Sequence, residues 1–249
     1  MSAPLPKPLL QLRGVHTHIG AYHILHGVDL EVPRGQLTML LGRNGAGKTT
    51  TLRTIMGLWK ASRGGILFDG RDITAGGTPD ISRLGIAYVP ENMGIFADLT
   101  VKENMLLAAR AARTVDDLDP KRLGWIFTLF PAIEKFWLHP AGKLSGGQKQ
   151  MLAVSRAIVE PRKLLLIDEP SKGLAPAIIA NMIAAFRELK QTDTTILLVE
   201  QNFNFAKQLG DTVAVMDDGR IVHRGAMAEL AEDEELQTRL LGLSLAAHQ

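Results

Sequence analysis

Eight consecutive residues constrain this chain more than any other feature: Gly42, Arg43, Asn44, Gly45, Ala46, Gly47, Lys48 and Thr49 fit GxxxxGK[ST] position for position. The residues before them, QLTMLLG after the turn at Pro33, Arg34 and Gly35, read as a buried strand. Those after them, from about Lys48 to Leu58, read as a helix with a Thr-rich first turn and Leu52, Ile55 and Met56 as apolar support. Strand, glycine loop and helix in that order make a phosphate cradle. The glycines let backbone N–H groups turn inward, and the helix N-terminus adds positive potential. Lys48 reaches the outer phosphates, and Thr49, followed by Thr50, supplies a hydroxyl for Mg²⁺. An ordinary glycine turn with an exposed lysine is the alternative, and the flanking elements disfavour it. The motif specifies a nucleotide, not a reaction.

The surrounding pattern is α/β. From Leu9 to about Leu41 the apolar positions alternate as in antiparallel strands, in LLQLRGV and LHGVDLEV. GGILFDG reads as a short strand closed by Asp-Gly, and Ile86 to Val89 as another stopped by Pro90. Strands at Lys163 to Ile167, Thr195 to Val199 and Thr212 to Met216 alternate with helices at about Pro176 to Lys190 and Asn202 to Leu209, a rhythm that implies a mostly parallel sheet. Asp218-Gly219 then opens a hairpin strand, GRIVHRG. From Thr100, an N-cap with Glu103 at the capping-box position, helical segments run to about Trp137 with breaks near Asp119-Pro120 and at Pro131. This stretch is expected to form a helical lobe inserted into the α/β core. The chain opens on eight Pro-rich residues and closes, from Ala231 to Gln249, on a helix with a ragged end.

Composition removes several classes of function. With 249 residues, 46% of them hydrophobic, the chain buries a core without staples. Lys and Arg number 28 against 26 Asp and Glu and are scattered, which gives nucleic-acid binding no particular support. The absence of cysteine rules out disulfides, thiolate catalysis and Cys-ligated zinc, so any metal sits on oxygen or His. No apolar run approaches the roughly 18 residues of a bilayer span. The start, MSAPLPKPLLQL, lacks the features of a signal peptide, and the expectation is a cytoplasmic chain.

Two further motifs carry chemistry. Leu164 to Ile167 end in Asp168, Glu169 and Pro170, which places two carboxylates at the C-terminal edge of the sheet, where such folds bind ligands. Asp168 is expected to hold Mg²⁺ through water beside Thr49, and Glu169 to accept the proton of the water that attacks the γ-phosphate. Acidic residues also simply end strands; the phosphate loop is what favours the catalytic reading. Leu144, Ser145, Gly146, Gly147 and Gln148 precede an amphipathic helix. Ser145 reads as its N-cap, and the N–H groups of Gly146, Gly147 and Gln148 as a second anion-binding corner. A capped helix with no ligand is the plainer reading of SGG alone.

GRNGAGKT, LSGGQ and LLLIDEP, in this order, resemble the nucleotide-binding subunit of an ATP-binding-cassette (ABC) transporter over nearly the whole chain. The resemblance implies an α/β P-loop NTPase fold and a single ABC ATPase domain over residues 1–249. Residues 9–90 and 163–230 would form the core with an N-terminal antiparallel β subdomain, and about 98–160 the helical subdomain carrying the signature motif. It implies ATP and Mg²⁺ as cofactors. It also implies a head-to-tail dimer with an identical or different ABC ATPase subunit, so that Ser145 and Gly147 complete the neighbour's ATP site. The remaining implied partners are integral membrane permease subunits and, indirectly, a periplasmic solute-binding protein, with the chain peripheral on the cytoplasmic face of the cell (inner) membrane.

The chain departs from the family pattern at several positions. Glu91 stands in VPEN where a Gln is usual; it still offers Mg²⁺ an oxygen but, ionised, donates no hydrogen bond. In the following loop, where the resemblance places the membrane partner, Met93, Ile95 and Phe96 read either as an exposed apolar contact or as local core. Gln201 replaces the usual switch His near the γ-phosphate; it is a neutral donor that does not titrate, and the base role falls to Glu169. Ala175 replaces an Asp. Together VPE, SxGLAP and LVEQN resemble importer subunits for branched-chain amino acids or for amides such as urea. Ile19 occupies the position of the adenine-stacking aromatic, leaving Tyr22 or His18 as base contacts and a loose base selectivity. A non-transport ABC ATPase acting on nucleic acid or ribosomes, and a P-loop module with degraded activity, are the other classes. Modest charge and the absence of a coiled-coil insertion weigh against the first, and the presence of Lys48, Thr49, Asp168 and Glu169 against the second.

Overall fold

The computed structural model describes residues 8–109, 112 and 114–242. Strands β1 (Pro8–Ile19) and β2 (Tyr22–Pro33) form an antiparallel hairpin, followed by β3 (Leu37–Gly42), the glycine loop and α1 (Lys48–Ile55). Next come β4 (Ala61–Phe68), β5 (Arg71–Asp72), α2 (Thr78–Arg83) and β6 (Ile86–Val89). The helical stretch comprises α3 (Val101–Ala108), α4 (Pro120–Leu129), α5 (Pro131–Lys135) and the long α6 (Gly146–Ile158). Then β7 (Leu164–Asp168), α7 (Pro176–Leu189), β8 (Thr195–Glu200), α8 (Phe203–Ala206) and β9 (Thr212–Asp217) alternate. The described chain ends in β10 (Arg220–Ala226), α9 (Met227–Glu232) and α10 (Glu234–Leu241).

Two sheets result. The smaller, in the order β2-β1-β4-β5, is antiparallel throughout. The larger runs β10-β9-β3-β8-β7-β6 and is parallel except at β10, its hairpin edge. Its central strands bury both faces, which is why LLLI and ILLV read as unbroken apolar runs. Successive side chains alternate between two cores. Leu40, Leu164, Leu166, Leu197 and Val199 face a cluster with the small sheet and with Leu52 and Ile55 of α1. Met39, Leu41, Leu165, Ile167, Ile196 and Leu198 face the helical layer, where Leu152, Met182 and Phe186 pack.

Local rules account for most boundaries. Thr100 and Glu103 form the expected capping box, the Glu103 carboxylate accepting from Thr100 N at 2.7 Å and Thr100 Oγ1 from Glu103 N at 3.2 Å. Asp119 caps α4 one residue before Pro120. Helix α1 stops at Ile55, short of the expected Leu58, because Gly57 turns left-handed at φ 71°. The helix expected over Asn202 to Leu209 is α-helical only at Phe203–Ala206. Helix α2, which starts beside Pro79, and the two-residue β5 carry too little periodicity to announce themselves. The closing helix is two, starting at Met227 and divided at Asp233, whose side chain accepts from Leu236 N at 2.8 Å. Its expected ragged end lies outside the described residues, as does all but Pro8 of the Pro-rich start.

The β9–β10 turn fastens the phosphate loop to the small sheet. Gly219 N donates to Ala46 O at 2.9 Å, and His26 N donates to Gly219 O at 2.9 Å. Gly219 has φ 69°, and a Cβ there would lie 2.1 Å from Ile24 O. Gly219→Ala is expected to destabilise the fold by at least about 2 kcal/mol, read as a lower urea midpoint. Gly70→Ala, with similar φ but open space around it, serves as the control and should cost only about 1 kcal/mol.

Candidate nucleotide site

The parallel register brings three strand ends together. Leu41 of β3 lies beside Glu200 of β8, and Val199 beside Asp168 of β7. The loops leaving β3 and β7 therefore open on one side of the sheet, at its C-terminal edge. A cleft of ≈ 320 Å³ there is lined by Ile24, Asn44, Gly45, Gly47, Lys48, Thr49, Thr50, Glu91, Glu169 and Lys172.

The glycine loop needs its glycines for steric reasons independent of any ligand. Gly42, Gly45 and Gly47 all have positive φ, and a Cβ on Gly42 would lie 2.3 Å from Met216 O. Ala46 packs in the core cluster beside this turn, while Arg43 offers its carbonyl inward. Lys48 is 4% exposed; its Nζ donates to Gly42 O at 2.9 Å and Arg43 O at 3.1 Å and lies 3.4 Å from Glu169 Oε1. The ammonium thus spans the loop and the end of β7, and an entering phosphate would take over partners now supplied by carbonyls and a carboxylate.

Asp168 is fully buried. Its Oδ1 accepts from Thr49 Oγ1 at 3.0 Å and its Oδ2 from the Tyr88 hydroxyl at 3.3 Å. Burial pushes its carboxyl up to about 6, Glu169 and Glu91 add to the rise, and the two hydroxyls pull against it. The Tyr88 hydroxyl is pushed up to about 12, by burial first and by Asp168 second. A buried carboxylate beside a threonine hydroxyl is a donor set that suits a hard cation such as Mg²⁺. Among the described residues no three His, Asp or Glu side chains form a metal cage, so phosphate and water oxygens would complete the coordination.

Glu169 adopts φ 46°, a left-handed backbone that a non-glycine residue adopts at a cost. Its N donates to Val199 O at 2.9 Å, and its Oε2 lies 3.5 Å from Lys172 Nζ. Lys172 also pairs with Glu91, and that hydrogen bond, followed by the charge of Glu169, raises the lysine's pKa. Glu91, Lys172, Glu169 and Lys48 form a row of alternating charge across the cleft. Glu91, expected from the sequence as a metal ligand, is therefore in the cleft but held by a lysine. The reading of the sequence missed Lys172 and Tyr88; an SKGLAP segment after the acidic pair was the available signal for the first.

Other expected contacts lie outside the lining of this cleft. Tyr22 is 75% exposed and does not line the cleft; Ile24 does. The hairpin register passes from Thr17↔Leu25 to His18↔His23, so Ile24 is the extra residue of a bulge, which alternation in the sequence does not reveal. The His18 ring stacks on His23 at 4.1 Å, and its Nδ1 lies 3.0 Å from Ser62 Oγ. Gln201 is exposed beyond β8 and lies outside the cleft lining.

Ser145 does cap α6, in a capping box with Gln148. Consequently the Gln148 N–H, expected to be free for an anion, donates to Ser145 Oγ at 3.3 Å, while Gln148 Oε1 accepts from Ser145 N at 2.9 Å. The N–H groups of Gly146 and Gly147 at the helix start remain for that role. Gly147 has a packing reason as well, since a Cβ would lie 2.7 Å from Ile178 Cγ2. Leu144 is buried in the helical core, and none of Leu144 to Gln148 lines the cleft. Of the apolar residues after Glu91, Met93 and Ile95 pack on the core, and Phe96 is half exposed beneath the Arg156 guanidinium, 5.2 Å from its ring centroid.

The sequence model of the ABC transporter family matches residues 25–172. The high-affinity branched-chain amino acid transport ATP-binding protein BraG of Pseudomonas aeruginosa is 38% identical over 234 residues, 94% of this chain and 100% of that protein. The probable branched-chain amino acid transport ATP-binding protein LivF of Archaeoglobus fulgidus is 37% identical over 89% of this chain and 93% of its own length. Import ATP-binding proteins for other solutes match too, such as the xylose/arabinose protein XylG of Sulfolobus acidocaldarius at 30% over 91% of each chain. Among solved structures, an ATP-binding subunit of an ABC transporter superposes with TM-score 0.78 at 31% identity, covering 95% of this chain and 96% of that one.

The position of Asp168 has a measurable consequence. Its folded pKa lies above the ordinary carboxylate value, so its contribution to stability is full below about pH 4 and is lost as pH rises through about 6. Above pH 6 the ionised group costs the ligand-free protein about 3 kcal/mol. Asp168→Asn keeps the shape, and its amide can donate to the Tyr88 oxygen. The variant is expected to melt higher than the parent at pH 8 without ligand, to lose that advantage near pH 4, and to lose Mg²⁺-dependent stabilisation by nucleotide. Thermal unfolding across pH, with and without Mg²⁺ and nucleotide, checks all three.

Proposed function

The chain belongs to the ABC transporter family as an ATP-binding, ATP-hydrolysing subunit, and from that premise we propose that it powers uptake of branched-chain amino acids. The identities to BraG and LivF support this solute. The VPE, SxGLAP and LVEQN strings are equally compatible with an amide importer, so urea is the alternative solute. No helix among the described residues is long and apolar enough to cross a membrane. The chain is accordingly proposed to work as one cassette docked peripherally on integral membrane permeases, at the cytoplasmic face, with a periplasmic binding protein delivering the solute. Phe96, on the loop after Glu91, is the apolar group that loop leaves exposed to a permease.

One observation carries the mechanism: the cleft holding Lys48, Thr49 and Glu169 does not include the LSGGQ corner. In this reading two cassettes pair head to tail, and each receives the partner's Ser145, Gly146 and Gly147 against the γ-phosphate. One bound nucleotide then closes an interface that neither surface closes alone. Lys48 leaves its carbonyl partners for the β- and γ-phosphate oxygens. The backbone N–H groups of Asn44 to Thr50 surround the phosphates, and Ile24 lies against the nucleoside side of the cleft. Mg²⁺, when bound at Thr49 and Asp168 with Glu91 nearby, supplies charge neutralisation at the phosphates. Glu169, freed from Lys48 by the phosphate, accepts the proton of the attacking water. Gln201 offers a neutral N–H to the γ-phosphate and adds no pH limb to turnover.

Glu169→Gln is expected to lower steady-state phosphate release at least about 100-fold while leaving ATP-dependent dimerisation intact. Phosphate release and light scattering on the same preparation measure both, and a rate within about tenfold of the parent removes Glu169 from the base role. Uptake of labelled leucine against labelled urea, by vesicles holding the assembled transporter, separates the two solutes.

A further inference from the structure

Glu200 ends β8 in the string LVEQN and is 2% exposed, although it is a carboxylate. Its Oε1 accepts from Ser171 N at 2.9 Å, and its Oε2 accepts from Gln201 N and from Asn202 N, both at 3.1 Å. The three N–H groups belong to two different loops. Ser171 lies two residues beyond Glu169, in the segment that leaves β7. Gln201 and Asn202 begin the segment that leaves β8. We propose that Glu200 is a positioning residue that clamps these two loops together, so that Glu169 and Gln201 approach the nucleotide phosphate as one rigid unit.

The inference rests on the proposed roles of Glu169 and Gln201 and deepens them. A buried carboxylate is expensive unless its lone pairs are used, and here both oxygens are used on backbone N–H groups. Burial pushes the carboxyl up, and the Ser171 hydroxyl first, then the backbone N–H donors, pull it back. An apolar side chain would fill the same space without that desolvation but would leave three N–H groups without an acceptor. What the carboxylate achieves is geometric. Glu169 holds a left-handed φ of 46°, and only Pro170, whose own φ is locked, separates it from Ser171. Anchoring Ser171 N therefore leaves only the ψ torsions of Glu169 and Pro170 between a fixed point and the Cα that carries the Glu169 side chain. On the other loop, Gln201 is exposed, and its N–H bond to Glu200 secures the backbone that carries it. A carboxylate has two acceptor atoms and reaches both loops; a single hydroxyl or amide oxygen serves only one.

The test is Glu200→Gln, close to isosteric, in which one acceptor becomes an NH₂ that faces a backbone N–H. Expected is a kcat lower by about 10–100-fold with the KM and the Kd for ATP within about twofold of the parent. Hydrogen exchange at Ser171 and at Gln201 and Asn202 is expected to accelerate together. In a Glu169→Gln background, Glu200→Gln should lower the residual rate by less than it lowers that of the parent, because one of the two groups it positions is gone. An unchanged kcat in Glu200→Gln overturns the proposal. So does a fall of kcat and nucleotide affinity in parallel with the melting midpoint, the pattern of general loosening. If instead Glu169→Gln itself retains turnover, the base assignment fails rather than the clamp. Should Glu200→Gln not fold, exchange in the parent decides: a nonhydrolysable ATP analogue must protect the Ser171 and the Gln201–Asn202 amides in step, and independent protection overturns the clamp.

Discussion

The hydrogen-bonded register of β3, β8 and β7 is the constraint on which the rest of this molecule depends. Parallel pairing sets Leu41 beside Glu200 and Val199 beside Asp168, so three chain segments far apart in sequence finish at one edge of one sheet. A slip by one residue would turn every apolar side chain of a strand to the opposite core and carry its terminal residue away from the cleft. Such a slip is heavily penalised because both faces are filled, one by the small sheet and α1, the other by the helical layer. The apolar cores thereby hold the charged residues in place without touching the nucleotide.

Charge at that edge is organised before any ligand arrives. Glu91, Lys172, Glu169 and Lys48 alternate across the cleft, and Lys48 is further held by the carbonyls of its own loop. The lysine contacts can be exchanged for ones with a phosphate, so binding replaces the partners of Lys48 and Lys172 rather than creating cationic charge in a dry site. Asp168 differs from the others, being buried with two hydroxyls and no cation bonded to it. A divalent ion at the proposed site would relieve that imbalance.

Glycine serves two purposes here. At Gly42 and Gly219 the absence of a side chain permits backbone to meet backbone, which fastens the phosphate loop to β9 and to the β1–β2 hairpin. At Gly147 it permits α6 to approach Ile178 of α7. A glycine-rich motif met in sequence is thus read too narrowly as a ligand cradle, since part of its composition is dictated by packing.

The sequence by itself determined the local chemistry: the glycine loop between strand and helix, the acidic pair ending a buried strand, the capping box at Thr100 and the N-cap at Ser145. Each depends on residues within a few positions of one another, where periodicity and cap geometry operate. Only the tertiary structure decided which distant groups share the cleft. Ile24 rather than Tyr22 lines it because a bulge rephased β2, and bulges arise from pairing with another strand. Lys172 occupies Glu91 across 81 positions, and Tyr88 reaches Asp168 across 80. The Gln148 N–H was taken by its own cap, while Glu200, unremarkable as a letter after an apolar run, proved to join two loops. Propensity and spacing describe a chain with itself at short range; sheet order decides which strand ends become neighbours, and that order is set by how the whole apolar pattern packs.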